Sequence, residues 1–118
     1  MELKLKIYIT DQSGNKFLGI GVFWLLEQIR RHGSIRAAAA EMEISYSKAY
    51  RMLCTLEKAL GKQVAERKKG GASRDGAELT PFGVLLLQRY ARLNNEIKAL
   101  AQKPFEIFAA DLQEAVDE

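Results

Sequence analysis

The sequence has 118 residues, of which 47% are hydrophobic and 28% charged, a composition typical of one soluble globular domain. No apolar run approaches the roughly 18 residues that a membrane-spanning helix needs. The N-terminus lacks the apolar core of a secretory leader, so we expect a cytoplasmic protein. The single cysteine, Cys54, excludes an internal disulfide and a cysteine-based metal site, and its helical context predicts a small packed side chain. With one histidine and no paired-carboxylate or nucleophile motif, we expect no enzyme, no cofactor and no metal site.

The net charge of +3 conceals an uneven distribution. All 18 Lys and Arg residues precede Phe105, whereas five of the 15 acids follow it, so residues 1–105 hold a net charge of +8. A small domain with that bias favours a polyanionic partner. A solvated surface with a helical acidic tail is the alternative, and charge alone leaves both open.

The N-terminal third contains two predicted strands and a helix. Residues 3–10 alternate apolar and polar side chains, which predicts a half-buried strand. Turn residues fill 11–15, and 16–20 are predicted to return as a second strand. Apolar residues spaced three and four apart then predict a first helix over 22–32, ended by Gly33.

Two serines mark the starts of the next two helices. Ser34 is predicted to cap a helix over 35–42, and Ser45 to cap a longer one that begins after a three-residue turn and covers about 46–60. Two short helices joined in this way form a helix-turn-helix unit.

The polar face of the predicted 46–60 helix is the main candidate for binding. At 100° per residue, Ser47, Lys48, Arg51, Thr55 and Lys58 lie opposite the apolar residues. Arg and Lys can donate to guanine O6 and N7 in the major groove, and Ser or Thr can contact bases or phosphates. Recognition helices lead with their N-terminal residues. The DNA-binding residues predicted outside the wing are therefore Ser34, Arg36, Ser45, Tyr46, Ser47, Lys48, Tyr50 and Arg51. An ordinary solvated helix face is the alternative.

A β-hairpin is predicted next, with strands at 64–67 and 77–79 joined by a glycine-rich loop, and it forms the wing. Glycine lets the backbone approach a phosphate closely, and cations neutralise it. The wing residues assigned to DNA are Arg67, Lys68, Lys69 and Arg74. The alternative is a surface loop that happens to be basic. A nucleotide-binding loop is disfavoured because the G-x-x-x-x-G-K-[ST] pattern is absent.

A fourth helix is predicted to start at Thr80-Pro81 and to stop at Pro104, with a last amphipathic helix beyond it. Its apolar residues recur at spacings of 4, 3, 4 and 3, and they are Leu86, Tyr90, Leu93, Ile97 and Leu100. This 3.5-residue period favours a seam with a second copy, and hence a homodimer. Residues off the stripe, namely Val84, Leu85 and Leu87, are expected to serve the domain core. The alternative is a stripe that packs on its own domain.

Several short motifs carry a family resemblance. They are Gly33-Ser34-Ile35, Ala38-Ala39, Ile44-Ser45-Tyr46-Ser47-Lys48-Ala49-Tyr50, Leu60-Gly61, Glu66-Arg67, Gly70-Gly71, Gly76-Ala77 and Leu79-Thr80-Pro81-Phe82-Gly83. Over roughly residues 3–100 the sequence resembles the N-terminal DNA-binding domain of the ModE family of molybdate-responsive regulators. The LysR family is the second resemblance, although its wing is usually shorter and a strand pair before the first helix is not typical of it. Both resemblances imply a winged-helix DNA reader that dimerises through a long helix.

Three features depart from the ModE pattern. Residues 72–75 interrupt a wing that is often almost all glycine, and Glu43 stands where glycine is common. Only 14 residues follow Pro104, too few for the family's molybdate-binding module, so we expect no molybdate site within this chain.

The sequence therefore predicts a mainly α fold with small β-sheets, a winged helix-turn-helix with an N-terminal β-hairpin and a long C-terminal dimerisation helix. It is expected to be one domain over 1–118, divided into a DNA-reading part over 1–80 and a dimerisation helix with an acidic tail over 81–118. The expected function is that of a homodimeric, sequence-specific regulator of transcription that binds double-stranded DNA and no membrane. The alternatives are a non-specific or architectural DNA-binding protein and a winged-helix module for protein interaction.

Overall fold

A computed structural model describes residues 1–68 and 76–118. The elements are β1 (Ile9–Thr10), β2 (Lys16–Leu18), α1 (Ile20–His32), α2 (Ile35–Glu41), α3 (Tyr46–Leu60), β3 (Ala65–Lys68), β4 (Gly76–Leu79) and α4 (Pro81–Asp117). The two antiparallel sheets are β1–β2 and β3–β4. The predicted order of hairpin, helix-turn-helix, wing and long helix is confirmed. Within the described residues, no helix combines the length and apolarity needed to cross a membrane.

The core forms where α1 packs on α2, α3, α4 and the wing strand β4. The largest fully buried side chains are Leu25, Leu26, Ile29, Leu56 and Val64. Three of them come from α1, because its apolar residues recur at helical spacing and so fall on one face. Burying them fixes α2 and α3 against α1 and leaves the opposite face of α3 in solvent.

Serine side chains cap the starts of α2 and α3, and a glycine ends α1, as predicted. The hydroxyl of Ser34 accepts from the Ala37 N–H at 3.1 Å, and that of Ser45 accepts from the Lys48 N–H at 3.0 Å. Gly33 ends α1 in the left-handed region at φ 67°. In the turn before α3, Glu43 also has a positive φ of 57°, a conformation that costs a non-glycine residue free energy. Glutamate in place of the glycine that is common at this position therefore strains the backbone of the turn.

The predicted strand over 3–10 is mostly wrong. Only Ile9 and Thr10 pair with β2, because the chain turns into α1 at Ile20 and leaves no strand opposite the preceding residues. The alternation of burial nevertheless persists back to Leu5. The segment is attached to α4, where the Tyr90 hydroxyl donates to the carbonyl of Ile7 at 2.7 Å.

The predicted helix stop at Pro104 is also wrong, since α4 continues to Asp117. Proline removes the N–H that would bond to the carbonyl of Leu100. Leu100 itself is exposed, so this part of α4 lies in solvent and not in the core. The Gln102 side chain also donates to Glu106 at 3.1 Å, which bridges the helix across the proline.

A tight junction fixes the wing to the start of α4. Thr80 donates its hydroxyl to the carbonyl of Gln63 at 2.8 Å and accepts from the Gly83 N–H at 3.0 Å. Gly83 lies so close to Val64, the residue before β3, that a Cβ atom there would overlap the Val64 carbonyl oxygen. The Leu-Thr-Pro-Phe-Gly segment therefore sets the position of the wing relative to the rest of the domain.

Candidate nucleic-acid interface

The outer face of α3 is polar and exposed along its whole length. All five predicted residues are exposed, namely Ser47, Lys48, Arg51, Thr55 and Lys58. The opposite face is buried through Ala49, Leu53 and Leu56. The core therefore presents this face outward on a fixed helix.

Lys48 and Arg51 retain their donors for a ligand. In the part of the chain that the structure describes, neither forms an ion pair with a carboxylate. Glu57, on the same helix, is turned to the wing, where it accepts from the Val64 N–H at 2.7 Å. Within the described residues, the positive charges of Lys48 and Arg51 are therefore not paired with a carboxylate.

Cys54 lies on the same face, and the prediction of a packed cysteine is wrong because this side chain is exposed. It is three residues beyond Arg51, and residues three apart are neighbours on a helix. The helical spacing that placed Arg51 in solvent would have placed Cys54 there as well.

Two arginines and two tyrosines form a cluster, the Arg–Tyr cluster, at the start of α3. The rings of Tyr46 and Tyr50 are parallel, with centroids 6.3 Å apart. The guanidinium of Arg36 lies 4.7 Å from the Tyr46 ring centroid. Arg67 lies 4.1 Å from the Tyr50 ring and 6.0 Å from the Tyr46 ring. The cluster brings together four predicted DNA-binding residues from α2, α3 and β3, which the sequence analysis did not connect.

Two of the three predicted serines, Ser34 and Ser45, stand at the N-terminal ends of α2 and α3. Ser34 and Ser45 use their hydroxyl oxygens as acceptors in the helix caps. A hydroxyl also carries one donor, which is left for an acceptor such as a phosphate oxygen. Both residues can therefore keep their capping bonds while contacting DNA.

The wing cations are not equivalent. Because side chains alternate along a strand, Arg67 and Lys68 leave opposite faces of β3, and only Arg67 reaches α3. Lys68 pairs with Glu78 of β4, and this hydrogen-bonded contact raises the pKa of Lys68 and lowers the pKa of Glu78. A phosphate would have to compete with that pair. Lys69 and Arg74, also predicted to bind DNA, lie outside the described residues.

The stripe on α4 divides into two parts. Tyr90 is only 3% exposed and packs against Phe23 at a ring distance of 5.4 Å, so it belongs to the domain's own core. Leu86 is also packed against that core. Further along, Leu93 and Ile97 are 38% and 37% exposed, and Leu100 is exposed as well. Only this distal part is accessible to another molecule.

One residue off the stripe also departs from expectation. Leu85, expected to serve the core, is 45% exposed, whereas Leu87 is buried as predicted.

Comparison of the sequence with protein families identifies one match. The family described as "Bacterial regulatory helix-turn-helix protein, lysR family" matches residues 23–84, which is more than half of the chain. This range covers α1, α2, α3, the wing and the start of α4.

Curated relatives include proteins named for molybdenum. The "Molybdenum transport protein ModE" of Azotobacter vinelandii is 30% identical over 93 residues, which are 75% of this chain and 34% of that protein. The "Molybdenum-pterin-binding protein MopB" of Rhodobacter capsulatus is 36% identical over 92 residues, 78% of this chain and 34% of that protein. The chain spans about a third of the length of these two relatives. The predicted resemblance to both the ModE and the LysR families is thus confirmed.

Solved structures share the fold. The "CbnR_DBD-DNA complex" superposes with a TM-score of 0.58 at 23% identity, covering 73% of this chain and 93% of that one. The "BenM_DBD/benA site 1 DNA Complex" superposes with a TM-score of 0.58 at 22% identity, covering 76% of this chain and 99% of that one. The likeness extends over most of two chains that were crystallised with DNA.

Proposed function

The chain belongs to the lysR family of bacterial regulatory helix-turn-helix proteins, and we propose on this basis that it is a sequence-specific, DNA-binding regulator of transcription. The observation that carries the proposal is the exposed face of α3, on which Lys48 and Arg51 form no ion pair within the described residues. The core holds this face outward on the second helix of a helix-turn-helix unit. An α-helix of this kind fits the major groove of B-DNA. A protein with this role works in the cytoplasm.

Base readout is assigned to Lys48 and Arg51. The two residues are three apart near the N-terminal end of α3, so their side chains are neighbours that enter the groove first. Arginine can bond guanine O6 and N7 with two parallel donors, which is the commonest base-specific contact. The other predicted residues near this end, including Ser47 and Arg67, are assigned to phosphates or to neighbouring bases.

We also propose that two copies of the chain bind DNA together as a dimer. Residues 81–118 form the dimerisation part, with Leu93, Ile97 and Leu100 in the seam, while residues 1–80 contact DNA. The apolar exposure of this distal stripe supports the assignment. A twofold-symmetric dimer places two α3 helices on a roughly palindromic site. The roles in molybdenum metabolism that name the curated relatives are not part of the proposal, because the chain spans about a third of those proteins.

Arg51→Ala tests the assignment of base readout. We expect it to cost about 1–3 kcal/mol of binding free energy on a DNA site selected from a random pool, and much less on random DNA. The measurement is a binding titration on both duplexes at several salt concentrations. Lys98→Ala serves as the control, since Lys98 is an exposed cation on α4 away from α3.

Equal losses on both duplexes would contradict base readout and favour an architectural DNA-binding protein. Binding of neither duplex by the unmodified protein would leave the protein-interaction module as the remaining function.

A further inference from the structure

We propose that Tyr50 is a positioning residue whose ring holds the guanidinium of Arg67 against α3, so that the wing and the recognition helix present one preorganised site for a backbone phosphate. The inference rests on the proposed function and adds a division of roles within the Arg–Tyr cluster. Arg67 is the phosphate ligand, and Tyr50 acts on DNA through Arg67.

The position of Arg67 in the wing directs its side chain towards α3. It lies in β3, directly opposite Ala77 of β4, which is buried in the core. Residues directly opposite each other in an antiparallel pair point to the same side. Arg67 therefore leaves the hairpin on the side that faces α3, and the backbone that carries it is held by a hydrogen-bonded ladder.

Arg67 and Tyr50 are in direct contact. The guanidinium carbon of Arg67 is 4.1 Å from the centroid of the Tyr50 ring, within the range of a favourable cation–π interaction. A guanidinium that stacks on a ring keeps its N–H donors at its edges, where they remain available to a phosphate. Among the described residues, no carboxylate forms an ion pair with Arg67.

The contact between Arg67 and Tyr50 lies beside the proposed base-reading face of α3. Tyr50 is 42% exposed and lies one residue before Arg51, so the guanidinium sits at the edge of the proposed base-reading face. When an α-helix occupies the major groove, the strands of phosphates pass along its flanks. A cation held at that flank meets the backbone, while the groove floor is left to Arg51. The expected ligand is therefore a phosphate and not a base edge.

The test compares four variants on a selected duplex and on random DNA. Arg67→Ala is expected to weaken binding to both duplexes by the same factor and to lower the slope of log K against log salt by about 1, as the loss of one phosphate contact does. Tyr50→Leu is expected to weaken binding about 3- to 10-fold, because the guanidinium loses its ring. Tyr50→Phe keeps the ring and is expected to bind as the unmodified protein does. In the Arg67→Ala background, Tyr50→Leu is expected to have no further effect.

The conservative variant separates positioning from direct contact. If Tyr50→Phe binds as weakly as Tyr50→Leu, the hydroxyl touches DNA and the proposal is overturned. It is also overturned if the losses from Tyr50→Leu and Arg67→Ala simply add, or if Arg67→Ala lowers affinity for the selected duplex alone. Thermal unfolding of each variant, expected to be unchanged, excludes a folding defect. Because the unmodified protein is titrated alongside, a failure of DNA binding as such is distinguishable from a failure of this inference.

Discussion

Gly83→Ala is expected to destabilise the domain by about 3 kcal/mol, because the added methyl group meets backbone. A Cβ at this position overlaps the carbonyl oxygen of Val64, which is backbone and cannot rotate away. Relief requires α4 to move away from Val64, and that movement strains the hydrogen bonds by which Thr80 joins Gln63 to Gly83. The gain in helix propensity of about 1 kcal/mol from glycine to alanine is too small to compensate.

Denaturant unfolding measures this effect, and α1 offers a matched control. A Cβ at Gly21 would meet only the terminal methyl of Met52, at 4.0 Å. Gly21→Ala is therefore expected to leave stability unchanged or raise it by up to about 1 kcal/mol. Equal midpoints for Gly83→Ala and the unmodified protein would show that the junction between the wing and α4 is not as tight as described.

Replacement of Leu93 and Ile97 by aspartate is expected to convert a dimer into a monomer. Both side chains are more than a third exposed in the single chain, so the fold survives the change while the proposed seam gains two charges. A dimer that binds two half-sites at once gains affinity because its two DNA-binding parts are linked, and the gain is commonly about 100-fold or more. Loss of the dimer should therefore weaken binding to a palindromic site by at least about 100-fold.

Sedimentation at micromolar concentration measures the first effect, and titration of a two-half-site duplex measures the second. Leu85→Asp is the control, because Leu85 is also exposed on α4 but lies off the stripe. It should remain dimeric. The proposed seam is contradicted if the unmodified protein sediments as a monomer at that concentration. It is also contradicted if the variant with aspartate at both Leu93 and Ile97 stays dimeric, as the Leu85→Asp control does.

Features that depend on neighbours in the chain could be predicted from the sequence. The starts of α2 and α3 follow from serines that bond to an N–H three residues later, a contact independent of the rest of the fold. The outer face of α3 follows from helical periodicity alone. Gly33 could likewise be placed at the end of α1, because only local backbone geometry is involved.

Features that depend on contacts between residues distant in the sequence could not be predicted from it. Residues 3–8 have the pattern of a strand, but whether a strand exists opposite them depends on where α1 begins. The apolar stripe of α4 runs without a break from Tyr90 into its exposed distal part. Tyr90 nevertheless packs on Phe23 of α1, and sequence spacing alone does not show where the buried part of the stripe ends. The Arg–Tyr cluster joins α2, α3 and β3, so it emerges only when those elements are packed together.

The family resemblance pointed to one feature that depends on distant residues, but it did not explain why that feature is needed. The Leu-Thr-Pro-Phe-Gly segment was recognised as a motif, but the sequence does not say why glycine is needed. In the fold, Thr80 bonds to residues on both sides of the junction, and Gly83 allows the close approach of the Val64 backbone.

The claim that DNA lies on the outer face of α3 is tested most directly at Cys54, the only cysteine in the chain. It is exposed on that face, so the rate at which a thiol reagent alkylates it reports access to the surface. With a selected duplex at about 100 times its Kd, the rate is expected to fall by up to about 100-fold and to recover when salt releases the DNA. A Cys54→Ser, Gln113→Cys variant, with its thiol near the end of α4, should be alkylated equally fast with and without the duplex. An unchanged rate at Cys54 under saturating duplex would contradict the assignment of α3 as the recognition helix.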